Sequence, residues 1–250
     1  MEEQLRRDLV RFSQRVHAAG WVANHDGNLS VRLGEGRFLC TPTAVSKAEV
    51  TPESLIVVDG QGNVLQGTRK PFSEMKLHIA AYRARPKVAA VLHAHPPTAT
   101  GFAVAGIELG APFMPEPVVS LGDRVPLVPY AFPGSEDESA LLVAALRQAD
   151  AVLLANHGAL SVGPDLETCF LRLELVEHLC KIALVARQVG SPRPIPGPDV
   201  QVLMEKREKA GLGPRAEGVR GPVGSAPPAA SLAPGSAAML VEEALRRFQG

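Results

Sequence analysis

Residues 88–96 read Val-Ala-Ala-Val-Leu-His-Ala-His-Pro, an apolar run that ends in His93 and His95, two positions apart. In a β-strand, residues i and i+2 project from the same face. An extended chain here therefore aims both imidazoles one way, about 7 Å apart along the backbone, close enough to share a metal ion. A second apolar run, residues 151–155, is followed by His157 and then Gly158, whose missing side chain permits a sharp turn beside an ion. Three histidines leave one coordination position open, as in catalytic rather than structural zinc sites. The same spacing also suits half-buried histidines that only hydrogen-bond, so the pattern alone leaves both readings open.

On the N-terminal side, Leu5, Leu9, Phe12 and Val16 predict an amphipathic helix over residues 3–19, stopped at Gly20. His17 near its end reads as a solvated or capping residue, and Trp21 as a packing residue. Residues 24–32, NHDGNLSVR, crowd turn-formers before an alternating run, which predicts a turn into a strand. Such a turn exposes backbone N–H groups that, with the Asn28 amide, can form an anion-binding nest; His25 reads as solvated. Residues 38–40 form a short strand leading into Thr41-Pro42-Thr43, whose hydroxyls either contact an anion or organise the turn. Residues 55–59 and 63–66 flank Gly60-Gln61-Gly62 as a hairpin. With so little helix between these strands, the sheet is expected to be antiparallel or mixed.

A helix is predicted from Ser73, as N-cap, through about Arg83, ended by Pro86. Glu74 in its first turn either favours the helix dipole or acts as a base beside an anion held by free N–H groups. His78, one turn on, reads as packing or as support behind the site. Residues 96–105 read as helix, 112–117 as loop or edge strand, 125–129 as a short strand, 133–135 as a turn and 137–149 as a helix. Residues 166–189 are helical, with Cys169, Leu173, Val176 and Cys180 on one stripe and His178 at the core or its edge. We divide the chain into a catalytic domain over 1–198, a short helix and Gly/Pro/Ala-rich linker over 199–238, and an amphipathic helix over 239–250 that docks on a neighbour.

The 250 residues are 46% hydrophobic, enough for one substantial core. Lys plus Arg (26) balance Asp plus Glu (26), so no overall field draws the chain to nucleic acid or anionic membrane, and an anionic ligand must be held locally. Cys40, Cys169 and Cys180 form no CxxC pair, as suits a reducing cytoplasm. A charged N-terminus gives no secretory pattern, and no apolar run is long enough to span a bilayer.

GNLS, TPT, PFSE, HAHP, PYAFPGS and NHG, in this order over residues 3–190, resemble the class II aldolase and adducin superfamily, and within it the zinc-dependent L-fuculose-1-phosphate aldolases. The resemblance implies a three-layer α/β/α sandwich with a mainly antiparallel central sheet, and a homotetramer with active sites at subunit interfaces. It implies that His93, His95 and His157 hold Zn2+, with Glu74 as catalytic base and as a ligand when substrate is absent. Asn28, Thr43, Ser73 and the backbone of Gly27 would cradle the phosphate of a small sugar. The implied reaction is reversible cleavage of a phosphorylated ketose to glycerone phosphate and an aldehyde through a metal-stabilised enediolate. Phe72 stands where the family commonly has a second serine, Ala44 where it has glycine, and Phe113 where a neighbour's tyrosine handles the proton of the aldehyde oxygen. Sibling activities are a pentulose-phosphate 4-epimerase and a methylthioribulose-1-phosphate dehydratase. An adducin-like interaction domain is the reading from a different class, and such domains lack the three histidines.

Overall fold

Alternating apolar positions become strands wherever both faces of the sheet can be covered, and the computed structural model, which describes residues 2–34 and 36–219, shows how. The strands are β1 (Asn28–Gly34), β2 (Arg37–Cys40), β3 (Ile56–Val58), β4 (Val64–Gln66), β5 (Ala90–Ala94), β6 (Leu127–Val128), β7 (Ala151–Leu154) and β8 (Gly158–Gly163). They form one sheet in the order β4-β3-β2-β1-β5-β8-β7-β6, antiparallel at every pair except β6 with β7. The histidine-bearing strand is therefore central, with Asn28 opposite His93 on one side and Leu160 opposite His93 on the other.

The helices are α1 (Glu2–Ala18), α2 (Met75–Ala84), α3 (Pro97–Val104), α4 (Pro115–Ser120), α5 (Glu136–Leu146), α6 (Leu166–Val189), α7 (Gly197–Lys209) and α8 (Gly213–Ala216). On one sheet face, Leu29, Val31, Ala90, Leu92 and Ala94 pack with α1, α3 and α6. The residues between them face the other way, where Phe38, Cys40, Val91 and Val162 pack with α2 and α5. This is the expected three-layer sandwich. Asp165 caps α6 through the Thr168 N–H at 2.7 Å, and Ser135 caps α5 through the Glu138 N–H at 3.1 Å. Trp21 packs as expected, stacked on Phe170 at 4.8 Å.

Several local expectations are corrected. Ser73 does not cap α2: Glu74 occupies the N-cap position, and no side chain bonds the free N–H groups there. Residues 112–117 are not an edge strand; Pro115 begins α4, because proline's fixed φ suits a first turn whose N–H groups need no helical partner. His178 is exposed, since it lies two residues from both Val176 and Cys180 and so points away from the stripe they share. β8 escaped the sequence reading altogether.

Past residue 198, the chain stays tied to the sandwich by charge. Asp150, fully buried, pairs with Arg85 at 2.7 Å, Arg172 at 3.0 Å and Arg207 of α7. Arg207 also donates to the Val119 and Ser120 carbonyls at the end of α4, and Glu217 holds Arg85 at 2.6 Å. Gly213 and Pro214 are buried, so the start of the segment read as linker is packed structure. The helix expected over 239–250 lies outside the described residues.

Candidate metal centre and active site

β5 carries His93 to the centre of the sheet, and its Nδ1–H donates to the Ala159 carbonyl of β8 at 2.9 Å. That bond fixes the tautomer and leaves the Nε2 lone pair free, the usual arrangement for a ligating imidazole. His95 lies one step past the strand, its backbone N–H on the Trp21 carbonyl at 2.8 Å. His157 sits in the turn between β7 and β8. Asn156, with φ 58°, makes that turn, and Gly158 is needed for a different reason. A Cβ on Gly158 would come within 2.5 Å of the His95 ring and 2.7 Å of the Ala94 carbonyl. The expectation that Gly158 serves the turn itself is thus replaced by close approach to the histidines.

The three rings converge, with one ring nitrogen from each within 4.8 Å of the others. His93 Nε2 and His95 Nε2 are 3.1 Å apart. That distance suits either an N–H···N bond between the rings or a shared cation, and nitrogens on a tetrahedral zinc are about 3.3 Å apart. The donor set therefore fits a divalent ion.

Glu74 stands beside this cluster, Oε1 2.8 Å from His157 Nε2 and Oε2 3.6 Å from His93 Nε2. Asn28 Nδ2 donates to the same carboxylate. Burial pushes the Glu74 carboxyl up, but His93, His157 and the Asn28 amide outweigh it and hold the group well below the carboxylate range. The Asn28–Glu74 bond belongs to a longer seam. Alternate β1 residues meet successive turns of α2, because two strand residues and one helical turn advance by similar lengths. Ser30 Oγ lies 2.7 Å from His78 Nδ1 and 2.9 Å from the Tyr82 hydroxyl, and Arg32 donates to the Tyr82 carbonyl at 3.0 Å. The position of the α2 start, and so of Glu74, is set by these polar contacts. His78 is fully buried, as a residue supporting the site, and burial first pulls it down to about 3, so it is neutral.

Other residues singled out from the sequence gather at the same end of the sheet. Gly27, with φ 70°, has no room for a side chain: a Cβ would meet Val22 at 2.5 Å and the His93 carbonyl at 3.1 Å. The Leu29 N–H donates to Thr41 Oγ1 at 3.2 Å, and the Thr43 N–H to the Lys70 carbonyl at 3.0 Å. A bridge between Pro42 and Pro71 then sets the TPT turn beside the Phe72–Ser73–Glu74 segment. Thr43 and Ser73 are exposed, and Ala44 holds φ 57°, the conformation that glycine adopts without strain. Phe72 is buried, its ring against His78 at 4.9 Å, so it takes no part in the polar rim.

Two residues near the site carry no functional signal in the sequence, where Asp26 reads only as a turn-former. Asp26 Oδ2 lies 3.7 Å from His95 Nδ1, and Lys47 is buried with its ammonium on the His25 and Val45 carbonyls at 3.1 and 3.2 Å. Neither stands in a pattern, since both reach the site through loops joined only in three dimensions. Tyr82 is 2% exposed and bonded to Ser30, which removes it as a proton donor at the histidines. Phe113 is half-buried against the α1/α3/α6 core.

A sheet of this order sets three histidines that could hold a metal ion at the end of its central strands, with an ionised carboxylate at a helix start beside them. Residues 7–184 match the family described as Class II Aldolase and Adducin N-terminal domain, and the chain belongs to that family. A 5-deoxy-D-ribulose 1-phosphate aldolase of Bacillus thuringiensis is 28% identical over 207 residues, 82% of this chain and 96% of that protein. A 3-oxo-tetronate 4-phosphate decarboxylase of Escherichia coli K12 is 32% identical over 189 residues, 74% of this chain and 88% of that protein. A solved L-fuculose 1-phosphate aldolase superposes with a TM-score of 0.75 at 29% identity, covering 81% of this chain and 95% of that one. The chain is an enzyme of the class II aldolase type, a lyase. Among the described residues no helix is long and apolar enough to cross a membrane.

Proposed function

We propose that this protein is a zinc-dependent aldolase of the cytoplasm that reversibly cleaves a small phosphorylated ketose, L-fuculose 1-phosphate or a close relative, to glycerone phosphate and an aldehyde. His93, His95 and His157 hold the ion, and the active unit is a homotetramer with sites at its subunit interfaces. The observation that carries this reading is the Glu74 carboxylate, ionised and anchored by Asn28, within 2.8 Å of His157. The bound ion would polarise the ketose carbonyl and stabilise negative charge on the oxygens of the enediolate.

The residues of the chain do the rest. In cleavage, the hydroxyl on the departing carbon loses its proton to solvent or to a neighbouring subunit, the carbon–carbon bond breaks, and the electron pair stays on the glycerone side. Glu74, ionised at rest, takes up a proton from solvent and delivers it to that carbon; in condensation its carboxylate removes the same proton. Asn28 keeps the carboxylate in place through the step, and the β1–α2 seam holds Asn28 and Glu74 in register. The backbone of Gly27 with Asn28, Thr43 and Ser73 receives the phosphate.

A second reading, decarboxylation of a 3-oxo acid phosphate, is favoured by one observation. Tyr82 is sealed in the core and Phe113 stands where the resemblance to the aldolases implies a tyrosine, which leaves the exposed Tyr130 as the chain's other tyrosine. Loss of CO2 leaves the same enediolate for Glu74 to protonate and requires no proton exchange on an aldehyde oxygen. Product analysis separates the readings. The zinc-loaded protein is given L-fuculose 1-phosphate, 5-deoxy-D-ribulose 1-phosphate, methylthioribulose 1-phosphate, L-ribulose 5-phosphate and 3-oxo-tetronate 4-phosphate. Glycerone phosphate with an aldehyde is expected; glycerone phosphate with CO2 and no aldehyde selects the second reading, and an epimer or a dehydrated product rejects both. In Glu74→Gln, cleavage and exchange of the enolisable C–H with deuterium should fall together by at least about a hundredfold while metal and fold remain. Exchange at the parent rate would remove Glu74 from the role.

A further inference from the structure

Lys47 is 2% exposed, and its ammonium donates to two backbone carbonyls only, His25 at 3.1 Å and Val45 at 3.2 Å. None of the ion pairs found among the described residues includes it. A buried ammonium with no paired anion is a costly arrangement. Its two partners lie on the loop that presents Gly27 and Asn28 and on the loop that presents Thr43 and Ala44, so one side chain ties both together. The acid groups nearby sharpen the point. Asp26 precedes Gly27, and Glu74 follows Ser73. A doubly charged phosphate set among these groups would face two carboxylates, a repulsion that hydroxyl and amide donors cannot cancel. The serine hydroxyl that the family places beside Ser73 is also lost, with Phe72 turned into the core.

We propose that Lys47 is a specificity-determining residue for the phosphate group, supplying from beneath the two loops the positive charge that lets this site accept a phosphate monoester. The inference rests on the reading of these loops as a phosphate cradle, but not on the identity of the carbon–carbon bond that is broken. Burial, opposed by Asp26 and Glu74, pulls the Lys47 ammonium down to about 8, consistent with a charge that gains from an arriving anion.

The test is binding of inorganic phosphate to the zinc-loaded protein by calorimetry, with metal content measured in every sample. Lys47→Met removes the charge and keeps the apolar stem; Lys47→Gln retains donors for the carbonyls without the charge. Both should weaken phosphate binding by at least about tenfold through loss of the attraction between charges, with metal content unchanged. KM for the phosphorylated substrate should rise in step while kcat stays within about threefold. Parent-like phosphate affinity in either folded, metal-loaded variant overturns the proposal, as does a parent protein that does not bind phosphate. Phosphate binding that depends on Lys47 in a protein that cleaves none of the sugar phosphates would retain this inference and reject the aldolase reading. If neither variant folds, the 15N resonance of Lys47 Nζ in the unsubstituted protein decides: it should move saturably with added phosphate, and an unmoved resonance counts against the assignment.

Discussion

Lowering the pH probes the metal centre through the protons its ligands must release. Each imidazole binds only when neutral, so apparent affinity falls about tenfold per pH unit for every ligand that is protonated in the metal-free protein. The three histidines differ in this respect. Burial, then the charges of His93 and His157, pulls His95 down to about 4. Burial likewise lowers His93. His157 moves the other way, because its bond to Glu74 favours the charged ring. Between the ordinary value of 6.5 and about 4, therefore, His157 carries a proton while His95 does not. Metal affinity should fall less steeply across this window than the about thousandfold per pH unit expected of three ordinary histidines well below their pKa. Competition with a chromophoric chelator at a series of pH values measures the slope. In Glu74→Gln the partner that raises His157 is gone, so the fall in affinity should begin at lower pH. A slope near three in the parent, or an onset unmoved by the substitution, would refute the reasoning.

Ala44→Gly should stabilise the protein by about 0.5–1 kcal/mol in urea unfolding, because it relieves an L-residue at φ 57° at a modest cost in unfolded-chain entropy; a destabilised variant would show that Ala44 is not strained. Gly158→Ala should lose metal and stability together, since the added methyl meets both the His95 ring and the Ala94 carbonyl of the central strand, and full zinc content by atomic absorption would contradict this. Asp150→Asn leaves Arg85, Arg172 and Arg207 facing one another in the interior and should cost about 3–5 kcal/mol in denaturant unfolding; a change under about 1 kcal/mol would show the cluster to be well hydrated.

Local order made much of this protein legible. The spacing of His93 and His95 on an apolar run, the stripe Leu9–Phe12–Val16, the hairpin around Gly60–Gly62 and the long helix at 166–189 depend on periods that a strand or helix imposes on its own residues. Motif order supplied the family and, with it, the sandwich. The N-terminus of α2 and α4 misled because proline and serine there fit two local conformations equally, and packing chose between them. Lys47, Asp26, the Ser30–His78–Tyr82 seam and the Asp150 cluster stand in no pattern along the chain. Each is a polar or charged side chain whose desolvation is tolerable only with partners that arrive from elsewhere. The pairs Lys47–His25, Ser30–His78 and Arg207–Asp150 are 22, 48 and 57 residues apart. Sequence spacing says which side chains share a face of one element. Which elements face each other, and so which charges are satisfied, was decided only when the sheet assembled, because the energy of a buried polar group depends on atoms its own segment does not contain.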